Sequence, residues 1–539
     1  MSMPLRNART RAALWGGVLW LSAVGVVSAA DKKVHVDVER SLNKQDEAAD
    51  AAEAEVKKGA RNFKAVLLLL GDKSVQVRDA VVEELVKTWS DDDLKVLEKG
   101  FKLRQPMIVE GLAEVYELKA LKFGAEAIAG ALNTRWPDET NTALLRALAV
   151  VGSDKQWRDI EKLYKRSKRN FRVRGECLHA LASIDPKKAR KMVDEAVEDK
   201  EFGVRIMALE LLARSDPKAM IKTATSFIKQ SDKDREDIWS FRLLFASLDN
   251  LSALRERTPH KAELKAAIEA MIARLDKARG RAQYELGVSL TAVTGMANLA
   301  PEHFAWKSWW DVKKDVWEPK DAPKKDDKTK KKKGKKDEEE KDPGERMGSV
   351  VRFHGIPIHS LRLTFCQDVS GGMKNPVGGR DSDTPAKLVI SKQELEKVLT
   401  GVDEAAYVNL LYFATFYYKC APSPVPVKKA RKALIAYNKK QDIPDKRGHG
   451  RSNLYDTIAF AISQPDIDSV YLLTEGGPTE GKYLETDRFM RHLKRLNVYY
   501  RVRVYTLLMG TSRSGAKFLE EVAKSTGAKF YDLKKLKKN

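Results

Sequence analysis

The chain has 539 residues, 43% of them hydrophobic, with 99 Lys and Arg against 76 Asp and Glu for a formal charge of +23. That length exceeds what one hydrophobic core supports, so two or three domains are expected rather than one. The positive excess favours anionic partners. Cys177, Cys366 and Cys420, which cannot all pair, exclude a disulfide-built scaffold.

Residues 1–30 read as a secretory signal. Arg6, Arg9 and Arg11 form a positive start, Ala12 to Val27 an apolar run, and Ser28, Ala29 and Ala30 a small-residue cleavage site before Asp31. An uncleaved N-terminal anchor is the other reading of the same run. No other segment reaches spanning length, so no membrane span is expected once the signal is removed. Export to the periplasm, envelope or exterior makes an anionic envelope polymer a more natural acidic partner than nucleic acid. A Cys366–Cys420 bridge requires their strands to be neighbours; otherwise Cys366 is a small buried apolar residue.

From about Glu47 to Leu299 apolar residues recur every three or four positions, the period of helices packed on one face. Three blocks share a Val-Arg pair followed by apolar positions, with the arginines at Arg78, Arg174 and Arg205. Asp185-Pro186 and Asp216-Pro217 mark turns into new helices, since proline cannot continue a helix interior. The pattern resembles HEAT-type helical repeats of roughly thirty to forty residues. That resemblance implies a solenoid over residues 31–317 and a structural role for the three arginines, bonding carbonyls or acids between helices. Trp306, Trp309 and Trp310 share a helix face and read either as a cap on the helical core or as an aromatic platform for sugar or peptide.

Residues 318–349 form a charged linker with almost no apolar side chain, expected to be disordered. Its lysines serve either as solvated spacer or as a polyanion contact.

From residue 350 to 539 strand and helix signals alternate. Strands are predicted over Arg362–Gln367, Ala406–Ala414, Ser469–Thr474, Arg501–Leu508 and Lys529–Tyr531, with an antiparallel edge at Tyr417–Cys420. Helices are predicted over Ala386–Leu399, Lys428–Lys440, Leu454–Ser463, Phe489–Leu496 and Lys517–Ser525. Alternation of this kind builds an α/β doubly wound sheet with helices on both faces. The first strand runs into Asp368-Val369-Ser370-Gly371-Gly372, at the carboxyl end of a strand, where such sheets bind ligands.

This segment, about Ser360 to Leu533, resembles a von Willebrand factor type A domain. That family builds a metal-ion-dependent adhesion site from three loops. The first is Asp-x-Ser-x-Ser, kept here at Asp368 and Ser370 but with Gly372 in place of the second serine. The second carries a Thr in a Gly-Gly-Thr-Asn context; here Gly450-Arg451-Ser452-Asn453 keeps a hydroxyl at Ser452. The third ends Thr-Asp-Gly; here it is Thr474-Glu475-Gly476, one methylene longer. The resemblance implies a divalent cation, Mg²⁺, Mn²⁺ or Ca²⁺, held by Asp368, Ser370, Ser452 and Glu475, and completed by a partner's carboxylate. Ca²⁺ or Mn²⁺ tolerates the displaced carboxylate better than Mg²⁺ does. A degenerate site that only holds the fold is the competing reading.

No Gly-x-Ser-x-Gly elbow, phosphate loop or His-Glu-x-x-His occurs, so an enzyme is not expected. His449, Asp381 and Asp383 lie in loops near the expected site. Arg488, Arg491, Lys494, Arg495, Arg501 and Arg503 make a basic stretch, either a solvated face or a docking surface for an acidic partner. The sequence therefore points to a non-catalytic, exported, adhesion-type interaction protein that binds protein partners. A structural envelope component holding anionic polymer on basic surfaces, with an inert metal site, is the alternative.

Overall fold

The computed structural model describes residues 37–231, 240–296, 299, 301–321, 351–377, 384–444 and 450–536. The signal segment, most of the charged linker, Asp381, Asp383 and His449 lie outside the described residues. Among the described residues no helix is long and apolar enough to cross a membrane.

The N-terminal part is helical. Helices Val75–Thr88, Pro106–Leu118, Asp138–Val151, Phe171–Ile184, Phe202–Ser215, Ser240–Ala253 and Gly280–Thr294 pack side by side in one row. Intervening helices such as Trp157–Arg166, Pro186–Ala196, Pro217–Gln230 and Lys261–Leu275 back them. The Asp-Pro pairs do what their chemistry dictates. Asp185 and Asp216 accept backbone N–H groups as N-caps, and Pro186 and Pro217 occupy the first helical turn, where a missing N–H is harmless.

The repeated arginines are structural, as expected. Arg78 donates to the Asp72 and Lys73 carbonyls at 2.6 and 3.0 Å, Arg174 pairs with Asp199, and Arg205 donates to Gln230 at 2.5 Å. Trp306 and Trp310 are buried in the helical core with Trp317, which favours the cap over the aromatic platform. The first residues assigned to the linker are ordered: Glu318 pairs with Lys261, and Asp321 accepts from the Arg257 and Thr258 backbone at 2.6 and 2.8 Å.

The C-terminal part is a mixed sheet. In chain order its strands are β1 (Arg352–Phe353) and β2 (Ile356–Pro357), a separate hairpin; β3 (Arg362–Asp368), β4 (Tyr407–Phe413), β5 (Tyr417–Lys419), β6 (Val425–Pro426), β7 (Ser469–Thr474), β8 (Arg503–Leu508) and β9 (Phe530–Asp532). The main sheet runs β5-β4-β3-β7-β8-β9, with β6 also on β4. β4, β3, β7, β8 and β9 are mutually parallel, and β5 and β6 are antiparallel edges.

β3 alternates as a strand must, sending Leu363 and Phe365 to one face and Cys366 to the other. Helices Lys387–Gly401 and Val427–Lys440 cover the first face. Helices Leu454–Ser463, Thr486–Tyr500 and Arg513–Ser525 cover the second. All three cysteines are free.

The two parts share a core. One continuous apolar core takes in Leu178, Leu209, Phe245 and Leu290 of the helical row together with Phe489, Leu493, Tyr499 and Val504 of the α/β part. Around it runs an ionic seam. Arg488 binds Asp79 and Glu114, Arg491 binds Glu114 at 2.7 Å, and Arg495 binds Glu117. Arg501 binds Glu210 and Asp249, and Arg503 binds Asp249 and Glu285, each at 2.9 Å.

The expectation of a solvated or partner-facing basic stretch is therefore corrected. All of those cations except exposed Lys494 are taken by acids of the helical row. Two arginines run the other way. Buried Arg242 caps the Gln464 and Pro465 carbonyls at 2.6 and 3.1 Å, and buried Arg281 reaches the Asp468 and Arg501 carbonyls.

Candidate functional site

The carboxyl ends of β3, β4 and β7 meet at one rim of the sheet. β3 ends at Asp368, whose carboxylate is fully buried. Its Oδ1 accepts the Ser370 N–H at 2.7 Å and its Oδ2 accepts the Thr474 hydroxyl at 2.7 Å. Burial pushes the Asp368 carboxyl above its usual range, the Ser370 and Thr474 side chains and the Ser370 N–H pull it partway back, and the nearby Glu475 charge adds to the rise. The Ser370 hydroxyl is buried beside that carboxylate.

The second loop is tied to the first and third through backbone. Gly371 N–H donates to the Gly450 carbonyl at 3.1 Å, and Asn453 N–H to the Ala414 carbonyl at 2.9 Å. Ser452 N–H donates to the Thr479 hydroxyl at 2.8 Å, and the Ser452 carbonyl accepts the Thr479 N–H at 3.0 Å. Arg451 pairs with Glu480 at 2.9 Å, closing the second loop onto the third. Three chain-distant loops thus share one rim. Asp368, Ser370 and Glu475 come together there, and Ser452 is locked beside the third loop.

The third loop holds the departure that matters. A Cβ added at Gly372 would fall on the Glu475 carboxylate, so Glu475 fills the space that a serine side chain at 372 needs. Glu475 Oε2 in turn accepts from Lys387 Nζ at 2.7 Å, and that nitrogen lies 3.5 Å from the Gly372 carbonyl. Lys387 is the first residue of its helix and is only 8% exposed. The loop after β3 folds back to place it. Pro376 bridges Ala386, and Lys387 N–H donates to the Asn375 carbonyl at 3.1 Å.

Sequence reasoning missed Lys387. The available signal was a lysine in the first turn of a helix, where the macrodipole disfavours a cation unless an acid compensates it. Thr474, one position before the expected ligand Glu475, is the residue that fixes Asp368.

Tested as a divalent-cation site, the set does not fit. The buried Asp368 carboxylate and the Ser370 hydroxyl suit a hard cation. Glu475, however, is committed to an ammonium, and Gly372 offers only a carbonyl, itself facing that ammonium. A dication held by Glu475 would have to take that carboxylate from Lys387 and sit beside a like charge.

Neither a family model nor a curated protein matches this sequence. Among solved structures, the chain is similar to the PilB minor pilin from Streptococcus sanguinis, at 14% identity and a TM-score of 0.26, covering 34% of this chain and 61% of that one. It is also similar to the conserved hypothetical protein BatB from Bacteroides thetaiotaomicron, at 16% identity and a TM-score of 0.24 over 31% of this chain and 87% of that one. A third similar structure is an uncharacterized membrane spanning protein from Vibrio fischeri, at 17% identity and a TM-score of 0.14 over 33% of this chain and 95% of that one. The chain thus spans under two thirds of the pilin's length.

Proposed function

We propose that this is a non-catalytic, exported interaction protein: a von Willebrand factor type A domain docked along a HEAT-like solenoid, binding a protein partner at its sheet rim. The observation that carries the reading is the meeting of three chain-distant loops at the carboxyl ends of β3, β4 and β7. The docked helical row supports it by fixing the orientation of the sheet that presents the rim. The alternative, an envelope component gripping anionic polymer, loses the Arg488–Arg503 cluster, because the helical row already neutralises it.

The test is site-specific photo-crosslinking in the full chain, in the cells that make it. A probe at Gly477, on the third rim loop, should capture one protein of constant mass. A probe at Lys397, far along its helix from the Lys387 end, should not. No adduct at Gly477, or equal capture at both positions, overturns the reading.

A further inference from the structure

Gly372 and Glu475, where the rim departs from the adhesion-site pattern, and the buried Lys387 beside them have one physical explanation. An aspartate at 475 would carry its carboxylate one methylene short of this position, and a serine at 372 would leave no room for the Glu475 carboxylate. A lysine buried at the first position of a helix is doubly disfavoured, by desolvation and by the helix dipole, unless a carboxylate answers it. Glu475 answers it at 2.7 Å, and the Gly372 carbonyl faces the same nitrogen at 3.5 Å. Gly372, Lys387 and Glu475 form one unit in which each residue requires the others.

We infer that the Lys387 ammonium is the resident cation of this rim, standing in for a divalent ion, and that the rim operates without metal. The inference rests on the rim reading above and deepens it. Any partner contact here is made to a closed ion pair, so it is indifferent to chelator. The Asp368 carboxylate, with both oxygens bonded to Ser370 and Thr474, organises the loops instead of serving as a ligand.

The test uses the full chain, stripped with chelator, and Mg²⁺, Mn²⁺ and Ca²⁺ each as the sole probe in titration calorimetry. Wild type should show no saturable binding of any of the three, and its thermal midpoint should be the same in metal and in chelator. The triple substitution Gly372→Ser, Lys387→Ala, Glu475→Asp restores a hydroxyl, shortens the acid and removes the competing ammonium. It should bind Mn²⁺ one to one, at least ~10-fold tighter than the limit set on wild type, about 1.4 kcal/mol. One-to-one binding by wild type that Asp368→Ala abolishes overturns the inference. So does a folded triple variant that binds none of the three ions.

If the triple variant does not fold, the coupling still decides. Gly372→Ala should lower the midpoint in wild type and lower it much less in a Glu475→Ala background. Equal losses in both backgrounds overturn the unit. Crosslinking at Gly477 reads the partner and the titration reads the cation, so either result can fail without the other.

Discussion

Arg488 and Glu114 lie 374 positions apart in the chain and meet at 2.8 Å, guanidinium to carboxylate, with both side chains buried. The same guanidinium holds Asp79, whose other oxygen accepts the Leu484 and Glu485 N–H groups at 3.0 and 3.1 Å. Burial by itself raises the Glu114 carboxyl, but the charge of Arg488 and the bond from His492 outweigh it and hold the group well below the usual carboxylate range. Glu114 is therefore an ionised, buried group whose partners belong to the other half of the molecule.

Breaking such a pair from one side leaves a buried charge uncompensated. Glu114→Gln should destabilise the full chain by about 3–5 kcal/mol in urea denaturation. The paired change Arg488→Met with Glu114→Gln should cost clearly less than the sum of the two single changes, because neither of the two is then left charged without the other, while Asp79 and Arg491 lose a partner in both comparisons. Additive losses would place the two residues out of contact.

His492 predicts how the seam responds to acid. Its ring stacks on Tyr483 at 4.0 Å between centroids and lies 3.3 Å from Glu114. Burial pulls its pKa down to about 3, outweighing the attraction of Glu114. The unfolded chain takes up that proton near pH 6.5, so between about pH 6.5 and 3 the unfolded state holds more protons and stability rises with pH. Glu114 adds loss of the same sign below about pH 4.5. At pH 5 the histidine contribution is about 2 kcal/mol. Urea midpoints should fall from pH 7 to pH 5 in wild type, and His492→Gln should flatten that fall.

Packing predicts a neutral route to the same weakness. A Cβ at Gly175 would lie 2.7 Å from the Tyr499 ring and hydroxyl. Gly175→Ala should cost about 1–3 kcal/mol, the usual range for overpacking, although alanine is the better helix former. A neutral or stabilising result in thermal unfolding would mean that Tyr499 does not press on that helix.

The rim makes a prediction of opposite sign. Among the described residues no cation pairs with the buried Asp368 carboxylate, and its two oxygens accept from Ser370 and Thr474. An amide at 368 can keep the Ser370 bond and donate to the Thr474 hydroxyl, which then turns to the Gly476 carbonyl 3.3 Å away. Asp368→Asn should leave the thermal midpoint unchanged or raise it, by on the order of 1 kcal/mol at neutral pH. Loss of stability would show that the carboxylate is needed as a charge.

Much of this arrangement is legible in the chain. Leu454–Ser463 and Ser469–Thr474 are predicted to the residue, because each apolar run is bounded by a capping or turn residue, Asn453 and Thr474 among them. The start of the Thr486–Tyr500 helix is missed by three residues. Its N-cap is Glu485, an uncommon capping residue, and its first turn is polar where it faces Asp79.

The first and third rim loops are legible as hydroxyls and carboxylates after apolar strands, whereas the second, which precedes a helix, is found only through the resemblance to the type A pattern. Lys387 is not, because its role depends on Glu475, 88 positions away, and on the absence of a side chain at 372. The seam is invisible for the same reason. Arginines at 488, 491, 495, 501 and 503 and acids at 79, 114, 117, 210, 249 and 285 look like ordinary surface charge until the fold sets them face to face.

Helical row and sheet form one cooperative body that presents one rim. Every tryptophan precedes residue 318, so intrinsic tryptophan fluorescence reports the helical part alone. Cys366, fully buried in β3, reports the sheet through thiol labelling once Cys177 and Cys420 are replaced by alanine and serine. The two signals followed through one urea series should give coincident midpoints, and Glu114→Gln should move both together. Separate transitions, with Cys366 exposed while the tryptophans stay folded or the reverse, would contradict the account.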